Sequence, residues 1–372
     1  MKKLMLTTAM VSVITTAAVA QTTITGELRL NYSMLQADKG FTSPTTTTTS
    51  NSSYGMGAEQ QINIQTKGKL NVLGLDYAAG FAIENDGDQA TTLFNENTYI
   101  DLINASSGTT VSFSRDHIQR SDTDFSATNL VGFSPNELSQ TSNTTNANTR
   151  FKQNIGAAPG QSMGVALLQK TPLGTLSYNF VPNNAGVTAG ALSTTSGDSA
   201  GTGGSEGTSP NTTSASEYGF VGDLSVKGLQ VHYFKNKNND FVVDTNTVKA
   251  EAKNLGIKYN FGDITVAANK KTHQAETLVA TKASTVAGTS TAEHTEKAYA
   301  VAYAVNKDVT VGLLYAKAEQ DGLATDQKIK AINIGYALGP VDLSIGYAKN
   351  SDLNGVAGND SDHFIARFIG KF

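Results

Sequence analysis

The side chains that most often carry out covalent chemistry are sparse in this chain and poorly spaced for it. Its five histidines, His117, His232, His273, His294 and His363, form no i, i+4 pair or cluster of the kind that holds a metal ion. Cysteine is absent, which removes thiolate nucleophiles and thiolate ligands. The stretch Glu84-Asn85-Asp86-Gly87-Asp88 opens like a calcium loop, but Thr91 to Phe94 lead only to Asn95 where a bidentate acid is needed, so it reads as a turn. No G-x-S-x-G elbow occurs, and Asp116-His117 is the one acid–histidine pair near a strand end, so neither an enzyme nor a cofactor is expected. What remains is charge set on alternating segments. Arg29, Lys67, Lys258, Lys271 and Arg367 fall on the less apolar parity, as do Glu27, Asp76, Asp101, Asp223 and Asp342. Opposed charges across a narrow aqueous slot set up a transverse field, which low-dielectric walls focus. That chemistry steers ions and makes no bonds.

The elements that would position these charges are strands. The chain ends HFIARFIGKF, in which Phe364, Ala366, Phe368, Gly370 and Phe372 share one face and Ile365, Arg367, Ile369 and Lys371 the other. Similar alternation marks sixteen segments: 22–32, 59–67, 70–84, 95–103, 109–115, 161–169, 174–180, 216–226, 229–236, 248–260, 263–271, 295–305, 309–317, 328–338, 341–349 and 362–372. Tight connections alternate with long ones at 33–58, 85–94, 116–160, 181–215, 237–247, 272–294, 318–327 and 350–361. In an up-and-down sheet, alternate connections lie at one end. One end therefore carries the turns and the other the loops.

Residues 1–20, MKKLMLTTAMVSVITTAAVA, have a cationic start, an apolar run and an A-x-A site, and are expected to be a signal peptide. The mature chain is then 21–372. Without Lys2 and Lys3, 26 basic residues face 32 acidic ones, a net charge of about −6, which argues against a nucleic-acid partner. Charged residues are 16% of the chain, below the ~25% usual in soluble domains. The leader excluded, no apolar run approaches the ~18 residues of a membrane helix. In hydrocarbon every backbone polar group must be paired within the protein, which strands achieve only in a closed barrel. The expected fold is an all-β, 16-stranded antiparallel transmembrane barrel with short periplasmic turns and long extracellular loops, sited in the bacterial outer membrane. The last strand pairs with the first, its Phe face meets lipid, and Tyr32, Tyr99, Tyr303 and Tyr347 belong to aromatic belts. Sixteen strands ~4.8 Å apart and tilted ~40° enclose a backbone diameter of ~30 Å. Inward residues such as Ala267, Ala300, Gly312, Gly335, Ser344 and Gly346 are too small to fill that lumen. Something else must narrow it.

In its leader, its sixteen segments, its alternating loop lengths and its final Phe372, the whole mature chain resembles the general bacterial porins. The resemblance implies a water-filled channel for passive diffusion of small hydrophilic solutes and ions, working as a homotrimer in outer-membrane lipid. It also implies that Phe364, Phe368 and Phe372 form a signal for the barrel-assembly machinery. The family's third extracellular loop folds into the barrel. Here that loop is 116–160, the longest, and it carries an apolar patch, Leu130-Val131-Gly132-Phe133, before Ser134-Pro135. The family's Pro-Glu-Phe-Gly-Gly motif is not present as such. Acids on this loop face wall bases in the family, so the implied constriction sets Asp122, Asp124 and Glu137 against Arg29, Arg120 and Lys67. The three loop acids lean the expectation toward weak cation preference. A channel preferring phosphate or amino acids, or a structural, adhesin-like barrel, is the alternative. An enzyme of the outer-membrane lipase or protease kind would want a Ser/His or Asp/His site.

Overall fold

The computed structural model describes residues 21–37, 52–70, 74–86, 94–115, 126–139, 164–181, 214–243, 246–274, 293–320, 324–355 and 357–372. The expected leader, 1–20, lies outside them, as do Asp122, Asp124 and Arg120.

Sixteen strands close into one antiparallel barrel. The first half of the wall is β1 (Gln21–Ala37), β2 (Ser52–Lys69), β3 (Asp76–Asp86), β4 (Phe94–Asn104), β5 (Thr109–Arg115), β6 (Gly164–Thr171), β7 (Gly174–Val181) and β8 (Ser214–Gly222). The second half is β9 (Leu229–Val243), β10 (Asn246–Phe261), β11 (Ile264–Gln274), β12 (Glu293–Ala304), β13 (Val309–Gln320), β14 (Gln327–Ala337), β15 (Val341–Ser351) and β16 (Ser361–Lys371). Each strand pairs with its sequence neighbours, and β1 also pairs with β16, from Glu27 opposite Lys371 to Ala37 opposite Ser361. Closure leaves no edge of unpaired backbone, the condition for a sheet in lipid.

Phe372 lies just past β16 but extends the ladder. Its carbonyl accepts from the Gly26 N–H at 2.7 Å, and its N–H donates to the Gly26 carbonyl at 3.0 Å. Its ring lies where a Gly26 side chain would start, so that glycine is a seat for the terminal ring.

Alternation sorts the two faces as the period-two pattern predicts. Leu28, Leu30, Tyr32, Leu255, Ile257, Tyr299, Val301, Leu313, Ile332 and Phe368 are exposed on the outside. On the inside, Ala298, Ala300, Ala302, Ala316 and Ala348 are buried. Tyr99 is a correction to the expected belts. It shares its parity with Asp101, points inward and is 8% exposed, while Ile100 faces out. A register shift opposite Gly80 and Ala82 and a left-handed Asn97 (φ 50°) precede it on β4.

Several element ends differ from the expected ones, each for a local reason. Expected segment 70–84 begins only at Asp76, because the chain turns at Gly74 (φ 62°) and the Leu70 N–H donates to the Leu75 carbonyl at 2.8 Å. Expected segment 216–226 ends at Gly222. Leu224 and Ser225 are left-handed (φ 50° and 62°), and Asp223 Oδ1 accepts from the Ser225 N–H at 2.9 Å, an Asx turn that removes Asp223 from the wall. Of the expected long loop 237–247, residues 237–243 continue β9 and 246–247 begin β10, with Asn246 opposite Val243. Above the lipid both faces of a strand are wet, so the apolar alternation that marks it fades there.

Candidate functional site

The missing filling is the segment 126–139, which crosses the inner face of β11 to β16. Its apolar residues bury themselves in the shallow bed that the small wall residues leave. Phe133 and Leu138 are fully buried and form one core with Ala298, Ala300, Leu314, Ala316, Ala318, Ile329, Ala331, Ala348 and Ile365. Val131 lies over Gly312 and Gly335; a Cβ added at Gly312 would come 2.7 Å from Val131 Cγ2. Phe133 and Leu138 lie over Gly346, where an added Cβ would meet them at 2.9 and 3.0 Å. The wall is small-residue-rich here because another layer occupies the space that larger side chains would take.

The segment turns back on itself at Gly132 (φ 82°), a conformation that glycine adopts without steric cost. A Cβ there would also collide with the side chain of Ser344. Ser134 then caps the one-turn helix α1 (Pro135–Leu138). Its Oγ accepts from the Glu137 N–H at 3.4 Å, while Glu137 Oε2 accepts from the Ser134 N–H at 2.8 Å, closing a capping box with Pro135 in the first turn.

Wall side chains satisfy the backbone groups that so short a helix leaves open. The Leu138 carbonyl accepts from Asn350 Nδ2 at 3.1 Å and from His363 Nδ1 at 3.2 Å. A carbonyl only accepts, so the imidazole proton is assigned to Nδ1, and Nε2 accepts from the Ser33 hydroxyl at 2.7 Å. At the other end of the segment the Ala127 N–H donates to Asn269 Oδ1 at 3.2 Å.

Two of the charge clusters at the wall take in expected constriction residues. Arg367 donates from Nε to Asn31 Oδ1 at 2.8 Å, from one terminal nitrogen to the Gly132 carbonyl at 3.3 Å, and from the other to Glu137 Oε1. Its guanidinium carbon also stands 5.0 Å from the Phe133 ring centroid, a cation–π contact. Glu137 thus does face a wall arginine, but that arginine is Arg367. Arg29 is held between Glu27, at 2.5 Å, and Glu59, at 2.7 Å. Lys67 opposes Gln21 on β1 and Ala78 on β3, at the turn end of β2. It is eight residues along the strand from Glu59, roughly 26 Å at ~3.3 Å per residue, and shares no cluster with Arg29.

Parity placed Arg367 on the inner wall, but nothing in the sequence singled it out as the partner of Glu137. His363, Asn350 and Asn269 were missed altogether as anchors. Their signal was a polar residue on the inward parity of a wall otherwise lined with Ala and Gly.

A closed sixteen-stranded barrel with an apolar outer band and a segment folded into its lumen defines an outer-membrane channel. A model of the Gram-negative porin family matches residues 7–366, and the chain belongs to that family. Family and fold point to passive diffusion across the bacterial outer membrane rather than to an enzyme. Among solved structures, an anion-selective porin from Comamonas acidovorans aligns with TM-score 0.64 at 12% identity, over 95% of this chain and 100% of that one. OmpF of Salmonella typhi, in a complex with daunomycin, aligns with TM-score 0.64 at 12% identity, over 95% and 98% of the two chains. The trimer form of OmpT from Vibrio cholerae aligns with TM-score 0.58 at 11% identity, over 95% and 99%. At these identities the likeness is one of fold. No curated protein matches the sequence.

Proposed function

We propose that segment 116–160 is the constriction of this channel, and that the described part of it, 126–139, is its fixed side. The observation that carries this reading is the burial of Val131, Phe133 and Leu138 on the inner wall. The pore passes small hydrophilic solutes and ions with a weak preference for cations. Glu137 is neutralised by Arg367 and adds little net field. Arg29 is outnumbered by Glu27 and Glu59, which leaves that inner face net negative. Asp122 and Asp124 add to the same sign, and Arg120 and Lys67 oppose it. The working unit is a homotrimer, a reading supported by the trimer form of the Vibrio cholerae OmpT that shares this fold. Phe364, Phe368 and Phe372 on the outward parity of β16 are the signal that the assembly machinery reads.

Reversal potential in a planar bilayer under a salt gradient tests the selectivity. The native pore is expected to favour cations weakly. Glu27→Gln with Glu59→Gln, which strips Arg29 of its partners, is expected to move the reversal potential toward anions, and Asp122→Asn with Asp124→Asn to move it the same way. An unchanged reversal potential in both double variants would overturn the charge assignment. Absence of conductance from folded protein would overturn the open pore.

A further inference from the structure

Counted along the chain, the histidines form no pair, but the fold makes one. In the ladder between β11 and β12, His273 is the register partner of His294. Gln274 and Glu293 are the pair before it, so the two histidines meet on the second rung below the long loop that joins the strands. Two residues further along each strand, on the same face, Lys271 partners Glu296. That face is the inner one. Asn269 and Ala298 continue it, and His294, Glu296 and Lys271 are all buried on it. Neither barrel closure nor the seating of segment 126–139 uses His273, His294 or Glu296.

His294 is prepared as a ligand. Its Nε2 lies 3.1 Å from Glu296 Oε1. A carboxylate accepts, so the imidazole proton is assigned to Nε2 and Nδ1 carries a bare lone pair. The ring is 1% exposed, and its Nδ1 is buried with no hydrogen-bond partner. A buried acceptor without a donor is uncommon in a folded protein. Metal-bound histidines are held in this way, with one ring nitrogen donating to a carboxylate and the other left to coordinate. His363 is the contrast on the same inner wall, because the Leu138 carbonyl and the Ser33 hydroxyl occupy both of its nitrogens.

We propose that His294, through Nδ1, and His273 bind a divalent transition-metal ion such as zinc at the loop end of the inner wall, with Glu296 orienting His294. Directly opposed residues in a sheet have Cβ atoms ~4.5–5.5 Å apart, which lets two imidazoles meet one ion at ~2.0–2.1 Å from each nitrogen. Imidazole nitrogen selects zinc or copper, whereas calcium and magnesium take oxygen ligands. Lys271 stands opposite Glu296, so with both imidazoles neutral the four side chains carry no net charge to repel the ion. Among the described residues no three histidines or acids gather into a closed metal site, so water completes the coordination. Such a site is open and exchangeable.

The test uses the untagged, folded mature protein in a non-ionic detergent, titrated with zinc chloride and read by calorimetry. A single zinc site per chain is expected, and a hundredfold excess of calcium is expected not to displace the ion. His294→Ala and His273→Ala are each expected to weaken binding by at least about a hundredfold, and Glu296→Gln, which removes only the orienting partner, by about tenfold. His232→Gln, at a buried histidine on neighbouring β9, should leave binding unchanged. Folding of each variant is checked by its heat-dependent shift in gel mobility. The native protein supplies a readout that needs no variant. With copper(II) in place of zinc, pulsed electron paramagnetic resonance should show echo modulation from two imidazoles. No zinc binding by the folded native protein, displacement by calcium, modulation from fewer than two imidazoles, unchanged binding by a folded His294→Ala or His273→Ala variant, or an equal loss in His232→Gln would each overturn the proposal.

Discussion

Arg367 joins the barrel wall to the segment inside it. Its guanidinium serves Asn31 on β1, the Gly132 carbonyl and Glu137, and covers the Phe133 ring. The pair with Glu137 is partly shielded, at 17% and 23% side-chain exposure, so losing one partner is expected to cost about 1–3 kcal/mol of local stability. Arg367→Ala should raise open-channel noise and mean conductance, because the segment loses its cationic clamp. Arg367→Lys should restore the charge but not the fork, and so leave the noise between native and Ala. Single-channel recording distinguishes the three. Gly132 offers a second residue-scale test. Gly132→Ala meets both a left-handed backbone and Ser344, and should displace the segment. Adding Ser344→Gly should recover only part of the native conductance, since it removes the collision and leaves the left-handed backbone cost of roughly 1–2 kcal/mol.

At the scale of elements, two contacts decide the architecture: the seam of β1 with β16, and the segment against its bed. The seam is completed by Phe372, whose backbone makes two hydrogen bonds to Gly26 and whose ring fills the space over it. Gly26→Leu is expected to evict the ring and lower the fraction of protein that folds and resists detergent, with Phe372 deletion acting in the same direction. Gel mobility before and after heating measures both. The bed can be tested by locking it. The chain has no cysteine, so Val131→Cys with Gly312→Cys introduces the sole pair. A Cβ at Gly312 would lie 3.3 Å from Val131 Cβ, close to the ~3.5–4.5 Å that a disulfide spans. Oxidation is expected to form the bond and leave conductance within about twofold, because a segment already seated there loses no freedom that the open pore uses. A large fall in conductance on oxidation would mean that the segment moves during conduction.

At the scale of the molecule, the barrel was legible because its solvent arrangement writes a period of two into the sequence. Lipid on one side and water on the other force alternation through sixteen strands, and closed pairing forces an even, edge-free count here. The pattern fails where that contrast fails. β9 and β10 run on to Val243 and from Asn246 above the lipid, where both faces are wet and no alternation marks them. It also fails at Leu224, whose parity continues β8 although the chain has already turned.

The apolar patch Leu130 to Phe133 announced that this loop has something to bury, and the small inward residues announced that the wall has room. Neither says which part of the wall receives the patch, because contacts between residues more than a hundred positions apart depend on how the closed ring brings β11 to β16 around to face the loop. The sixteen strands, most of their faces, the two unlike ends and the class of protein could be read from the residues alone, because they follow from local alternation and spacing. That Glu137 meets Arg367 rather than Arg29, that His363 holds the end of α1 and that Gly26 seats Phe372 came only with the folded chain. Those are matters of register between strands, and register is set when the ring closes.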